Sequence, residues 1–292
     1  RLRSGSVSTH ETGDIVVDRD AVVVLDAKNA LGQLVGDQAM SLAIARARQY
    51  GAGVAAVRHG FHFGVARRYA VAAANEGCIG LAMCNTRPLM PAPGGAERAV
   101  GNNPIAIALP TAGAIPLVFD MATSEAAMGK IRMAAKSGQS IPETWAVKSD
   151  GSPTTDPNEA IKGMLLPSAG AKGFGLSFMI DLMAGLLSGG AHGDGVRPLY
   201  GDASIPYDCS QLFIAINVAH FRNRDGFATG AESAAQRIRD GARAPGVTQL
   251  FTPGEPEWRR ANAAQEKLRL DPAVAAMLQR MAASFGVDAP SF

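Results

Sequence analysis

Segments with helical and with strand-like apolar spacing alternate along the whole chain, which predicts an α/β protein built on a largely mixed sheet. Two further observations agree. Apolar residues make up 47% of the 292 and charged residues 18%, enough to bury a core rather than remain disordered. The length suits one large domain or two modest ones, and no Pro/Ser-rich linker divides the chain.

The elements follow in order. Alternation around Asp18-Arg19-Asp20 predicts a hairpin with strands Ile15–Val17 and Val22–Asp26. Leu31, Leu34, Val35, Ala39, Leu42 and Ala43 have helical spacing, predicting a helix from Leu31 to Tyr50 that Gly51 and Gly53 end. Val54–Val57 then begins a strand. Gly51, Gly53 and Ala56 match the G-x-G-x-x-A spacing of a dinucleotide fingerprint. That motif needs a strand before it and a helix after it, and here the order is reversed, so the Rossmann reading is rejected. The loop Arg58 to Gly64 leads to a helix from Val65 to Asn75, a strand Ile79–Cys84, and a Pro/Gly-rich loop from Pro88 to Gly95. Strands are expected at Ile105–Leu109, Ile115–Phe119 and Leu212–Ile216. Helices are expected at Leu176–Leu187, Ala228–Ala244, Glu257–Leu268 and Pro272–Phe285.

Composition narrows the function. A net charge of +2 is too small to argue for nucleic acid or an anionic membrane as partner, so small-molecule chemistry is favoured. Cys78, Cys84 and Cys209 form no CxxC pair, and no signal peptide is visible, which reads as buried, reduced thiols in a cytoplasmic protein. The apolar run from Gly173 to Gly190 is interrupted by Asp181 and by internal glycines, and reads as a core helix rather than a membrane span.

Several polar residues sit where apolar elements end, the usual place for sites. His62 lies between a strand and a helix, in a loop with two glycines, near Arg58. It is either an acid/base able to exchange a proton near neutral pH or a structural cap on the following helix. His59 and His62 lack the third ligand that a metal site requires. Asp120, directly after an apolar strand, either holds ribose hydroxyls or caps a turn. Lys172 and the glycines Gly173 and Gly175 lie just before the apolar helix, where a dipole end and a cation suit an anion or phosphate. Lys130 is either a second phosphate ligand or a solvated lysine. Asp156 reads as a turn former, and Glu255 as a carboxylate at a helix N-terminus. No G-x-S-x-G elbow supports serine hydrolysis.

A set of ordered motifs is more specific than any one of them. His62-Phe63-Gly64, Gly101-Asn102-Asn103-Pro104, Asp120-Met121-Ala122-Thr123-Ser124 and Gly129-Lys130 are followed by Ile141-Pro142-Glu143 and Pro153-Thr154-Thr155-Asp156-Pro157. Lys172-Gly173-Phe174-Gly175 and Pro253-Gly254-Glu255 complete the series. Together they resemble the malate/L-lactate dehydrogenase family that lacks a Rossmann fold. That family includes ureidoglycolate, sulfolactate and 2,3-diketogulonate dehydrogenases and Δ1-piperideine-2-carboxylate reductases. The resemblance implies the family's fold, a large mixed sheet flanked by helices. It also implies NAD- or NADP-dependent interconversion of a small 2-hydroxy acid and its 2-keto acid, or reduction of a cyclic imino acid.

By the same resemblance His62 exchanges the proton, while Thr86, Asp120, Met121, Ala122, Lys172, Gly173, Pro253, Gly254 and Glu255 fall at or near the cofactor. Arg58 and Lys130 are candidates for the substrate. The implied organisation is a substrate and dimerisation part over residues 1–60, a cofactor-binding part over 61–220, and a C-terminal helical part over 221–292 returning to the first. Relatives form homodimers. They also carry a Ser-His-Gly motif and a carboxylate-binding arginine upstream of the position where this sequence starts, and many have serine where this chain has Gly60. Those departures leave open a chain that binds cofactor without catalysis, and lead to the expectation that an added upstream segment raises activity.

Overall fold

A computed structural model of the chain describes residues 1–263 and 270–289. Arg1–Gly254 form one unit and Glu255–Phe292 another. The first unit is organised by a seven-stranded mixed sheet with strand order β1-β2-β3-β11-β4-β7-β8. Its first strands, β1 (Asp14–Arg19) and β2 (Val22–Asp26), form the expected hairpin. Helix α1 (Gly32–Tyr50) then carries the chain across the sheet to β3 (Ala52–Gly60), which pairs parallel to β2. The remaining pairings join β11 (Cys209–Asn217) to β3 and to β4 (Cys78–Cys84), β4 to β7 (Ile105–Leu109), and β7 to β8 (Leu117–Met121). All of these are antiparallel.

Strand alternation divides the core between the two faces. Val23, Leu25, Ala55, Val57, Phe213 and Ala215 face α1 and α2 (Arg67–Asn75), where Tyr69 stacks on Phe63. Val24, Ala56, Met83 and Leu212 point the other way, onto Ile180 and Ala184 of α5 (Ala171–Ser188). Gly53 shows why the rejected fingerprint is structural. A Cβ there would strike the Ala43 carbonyl, so the glycine serves helix–strand packing. The three cysteines are free and buried.

A smaller apolar cluster lies between β4 and α5 in sequence and escaped the sequence reading in part. There β5 (Met90–Pro91) pairs with β6 (Arg98–Val100), and β9 (Ala146–Val147) pairs with β10 (Met164–Leu165). With α3 (Met128–Ser137) and α4 (Pro157–Lys162) they enclose Met90, Ile131, Ile141 and Leu165. Two-residue strands carry no periodicity to read. Asp156, expected as a turn former, is the N-cap of α4 and accepts the Asn158 N–H.

Further corrections concern boundaries. Asp120 does not follow a strand; it lies inside β8, opposite Ala106. The expected start of α5 at Leu176 is five residues late, because Gly170, at positive φ, turns the chain before Ala171. The loop glycine expected at 173 is helical, and the backbone of Ser168 leaves no space for a Cβ there. The helix expected over Ala228–Ala244 is α6 (Arg224–Arg239), N-capped by Asn223.

In the second unit, α7 (Glu255–Ala263) covers the start of the expected helix Glu257–Leu268, whose remainder lies outside the described residues. The last described helix, α8 (Pro272–Phe285), has the expected bounds, with Asp271 as N-cap and Gly286 as C-cap.

Candidate active site

The strand directions bring the candidate residues to one end of the sheet. β3 and β4 both run antiparallel to β11, so their C-terminal ends point the same way, and β8 ends there too. β7, which runs oppositely, begins there. Phe61-His62, Asn85-Thr86-Arg87, Gly101–Asn103 and Met121–Thr123 therefore emerge together, outside the carboxyl ends of strands where ligands of open α/β sheets bind.

Buried amides fix this edge. Asn85 is fully buried; its Nδ2 donates to Asp181 Oδ1 (2.9 Å), and its Oδ1 accepts the Ser210 N–H (2.7 Å). Asp181, the charge that interrupts the apolar run, also accepts the Gly193 N–H at 2.9 Å, and burial raises its pKa. Asn103 Oδ1 accepts the Thr86 N–H at 2.7 Å, while its Nδ2 donates to the Ser177 carbonyl of α5. Asn102 N–H donates to Thr86 Oγ1 at 3.1 Å. A Cβ at Gly101 would strike Thr86 and Asn103, so this turn admits only glycine. The Gly-Asn-Asn-Pro motif signalled these asparagines, but only the structure shows that they hold Thr86.

His62 and Thr86 line a cavity of about 290 Å³. Arg87, Arg98, Asn102 and Arg132 line it as well, with Tyr200 and Tyr207. The Gly64 N–H donates to His62 Nδ1 at 2.9 Å, so the neutral ring carries its proton on Nε2. Desolvation by the surrounding atoms lowers the His62 pKa and favours that neutral form. Gly60, two residues earlier, sits against the Cys209 carbonyl and Gln211 Nε2 of β11, which leaves no room for a serine.

The other predicted residues fall in different places. Asp120 Oδ2 accepts the Arg67 N–H at 3.3 Å, at the start of α2. Met121 and Ala122 are half-buried, and Thr123 Oγ1 is buried without a hydrogen-bond partner among the described residues. Lys172 is exposed in the first turn of α5, and the Gly170–Ala171 end of that helix lines a second cavity of about 560 Å³. The N–H groups of Lys172 and Gly173 already donate to the Ala169 and Ser168 carbonyls. An anion here meets the helix dipole and the ammonium rather than free N–H groups. Pro253 accepts the Val118 N–H at 3.1 Å, and Gly254, at positive φ, packs on Val118, so both cover the outer edge of β8. Glu255 opens α7 and is bound by Arg259 at 2.7 Å. Arg58 pairs with Asp26 at 3.1 Å and does not line the His62 cavity; nor does exposed Lys130, although its neighbours Gly129 and Arg132 do.

The groups present fit a nicotinamide dinucleotide. The Gly170–Ala171 end of a helix lines one cavity with exposed Lys172 next in sequence, a titratable imidazole lines another, and Thr123 Oγ1 is an unpartnered polar atom among the described residues, on the loop between β8 and α3.

The malate/L-lactate dehydrogenase family profile matches residues 1–279. The chain is 38% identical over 262 residues to malate dehydrogenase of Pyrococcus abyssi, which covers 87% of this chain and 71% of that protein. It is 36% identical over 290 residues to L-sulfolactate dehydrogenase of Methanocaldococcus jannaschii, covering 98% and 82%. The crystal structure of malate dehydrogenase from Entamoeba histolytica superposes with a TM-score of 0.92 at 29% identity, over 100% of this chain and 84% of that one. Fold and site thus define a non-Rossmann dehydrogenase. The chain belongs to the malate/L-lactate dehydrogenase family, and at that level it is an NAD(P)-dependent oxidoreductase interconverting 2-hydroxy and 2-keto acids.

Proposed function

We propose that this protein reduces a small 2-keto acid, or oxidises the corresponding 2-hydroxy acid, with His62 exchanging the proton on the substrate oxygen. The observation that carries this reading is the His62 ring beside Thr86 in a cavity at the carboxyl ends of the strands. The bound nicotinamide supplies or accepts the hydride.

Residues 61–220 contribute all the cavity groups named above, which supports assigning cofactor binding to them. His62 Nε2 is the nitrogen that meets the substrate oxygen. Exchanging a proton there requires Nδ1 to hold one of its own, so the Gly64 contact opens in the reacting state. Thr86, held by Asn102 and Asn103, presents a fixed hydroxyl at the wall. Lys172 and the start of α5 draw the cofactor's phosphates.

A panel of 2-keto acids and cyclic imino acids, each assayed with NADH and NADPH, tests the reading. It predicts cofactor oxidation with at least one 2-keto acid. Turnover of cyclic imines alone would move the substrate class, and turnover of none would remove the proposal.

A further inference from the structure

The loop that carries His62 leaves the sheet through a β-bulge. Cys209 of β11 faces Gly60 and Gln211 faces Val57, so two residues of β3, Arg58 and His59, oppose Ser210 alone. His59 takes a left-handed conformation in that bulge, with φ at +50°, where glycine is the usual residue. Asp26, at the end of β2 and paired with Arg58, holds the side chain there. Both Asp26 carboxylate oxygens lie 3.0 Å from His59 Nδ1, so that nitrogen must donate. Asp26 also accepts Arg58 Nε at 3.1 Å and the Lys28 N–H at 3.1 Å. Its side chain is 16% exposed, so water competes weakly for these contacts. Burial alone would raise the Asp26 pKa, but the donors, His59 first, lower it and keep the carboxylate charged.

The backbone between this bulge and His62 is held at each residue. The His59 carbonyl accepts the Asn29 N–H at 2.9 Å. A Cβ at Gly60 would strike β11, and one at Gly32, the first residue of α1, would strike the Phe61 carbonyl. That carbonyl accepts Gln211 Nε2 at 3.1 Å and Cys209 Sγ at 3.3 Å. Close packing of this kind transmits a shift at residue 59 to residue 62 rather than absorbing it. Bulges beside active sites re-aim a side chain, and the one aimed here is the imidazole in the cavity wall. We infer that Asp26 and His59 are positioning residues, whose contact latches the bulge and so sets where His62 stands. The inference rests on His62 as the acid/base of the proposed function. Arg58, which does not line that cavity, then serves as a further partner of the Asp26 carboxylate.

His59→Gly and His59→Asn separate the side-chain contact from the backbone conformation. Glycine adopts the left-handed conformation but has no donor, whereas asparagine tolerates it and keeps an N–H for Asp26. Asp26→Asn breaks the latch from the other side. Turnover is measured with the 2-keto acid and the cofactor that serve the parent best. His59→Gly and Asp26→Asn should each lower kcat by at least about tenfold, because a small misplacement of a reacting group is costly. Cofactor affinity in a fluorescence titration should not change, and His59→Asn should keep most of the parent's kcat. His59→Gly as fast as the parent overturns the latch. So does His59→Asn as slow as His59→Gly, or a loss that follows cofactor affinity. Should one of the two latch-breaking variants fail to fold, the other decides. Nitrogen NMR of the His62 ring in the free protein, above its titration range, reads the same positioning without turnover. The parent should show one tautomer, with the proton on Nε2, and His59→Asn the same. The latch-breaking variants should show a mixture, and an unchanged ring in both overturns the inference. A parent without turnover whose His62 signals still depend on the latch would instead sink the proposed function.

Discussion

At His62 the Gly64 N–H occupies Nδ1 in the resting ring, which leaves Nε2 to the substrate, and the contact opens when the ring reacts. Replacing His62 with Asn should lower turnover by about a hundredfold or more, as for a lost acid/base, and leave cofactor affinity in place. Fluorescence titration of the reduced cofactor separates the two effects. The depressed His62 pKa also has a sign that can be checked. Hydroxy-acid oxidation needs the neutral ring, which persists below the pH at which a free histidine protonates. Oxidative kcat/KM should therefore hold through the ordinary histidine range and fall only at lower pH, while reduction gains over the same interval. A limb at or above the ordinary histidine value would contradict the desolvation of this ring by its surroundings. Gly60 gives a stability counterpart. A serine there must displace the β11 backbone and should cost about 1–3 kcal/mol in denaturant unfolding, as for overpacking elsewhere. An unchanged midpoint would show that β11 can give way.

Among the elements, α5 joins the most functions. Its buried face, with Ser177, Ile180, Asp181 and Ala184, lies on the sheet and braces Asn85 and Asn103. Its N-terminus lines the larger cavity. Lys172→Ala should weaken NAD(P)H binding by about 1–3 kcal/mol, the scale of a charge-assisted contact. Unchanged affinity in a cofactor titration would place the phosphates elsewhere. By length and composition α5 could also cross a membrane, but it packs against the sheet and leaves Phe178, Met179, Leu186 and Leu187 exposed. We propose that these side chains lie at the interface of the homodimer that the family resemblance implies. Sedimentation should give a dimer that Leu187→Asp shifts toward monomer, and a monomeric parent would refute it.

This helix also shows what the sequence could and could not reveal. Its apolar run, its lysine and its glycines were legible, but its start was not, because Gly173 reads as loop punctuation until the Ser168 backbone is seen against it. The hairpin, α1 and α8 were legible because their apolar spacing repeats clearly, and α8 also has an Asp N-cap and a Gly C-cap. The strand pairs of the smaller cluster were not, since two residues have no period. His62 was legible from its place between a strand and a helix in a glycine-flanked loop, whereas Thr86 was found only through motif resemblance. Arg87, Arg98 and Arg132 belong to separate segments and become a group only when the chain folds around the cavity.

For the molecule as a whole, strand order is what turns separate motifs into a site. One parallel pair, β2 and β3, followed by antiparallel neighbours sets the ends of β3, β4 and β8 and the start of β7 side by side. Function then depends on loops that lie far apart in sequence, as expected for sites carried by a rigid sheet. The family fold fixes the reaction class. The most direct measurement follows consumption of NADH or NADPH with oxaloacetate and with pyruvate, in the parent and in His62→Asn. The account predicts turnover by the parent with at least one of the two acids, and a variant slower on it by at least about a hundredfold. A variant as fast as the parent, or a parent that reduces neither acid with either cofactor, would contradict it.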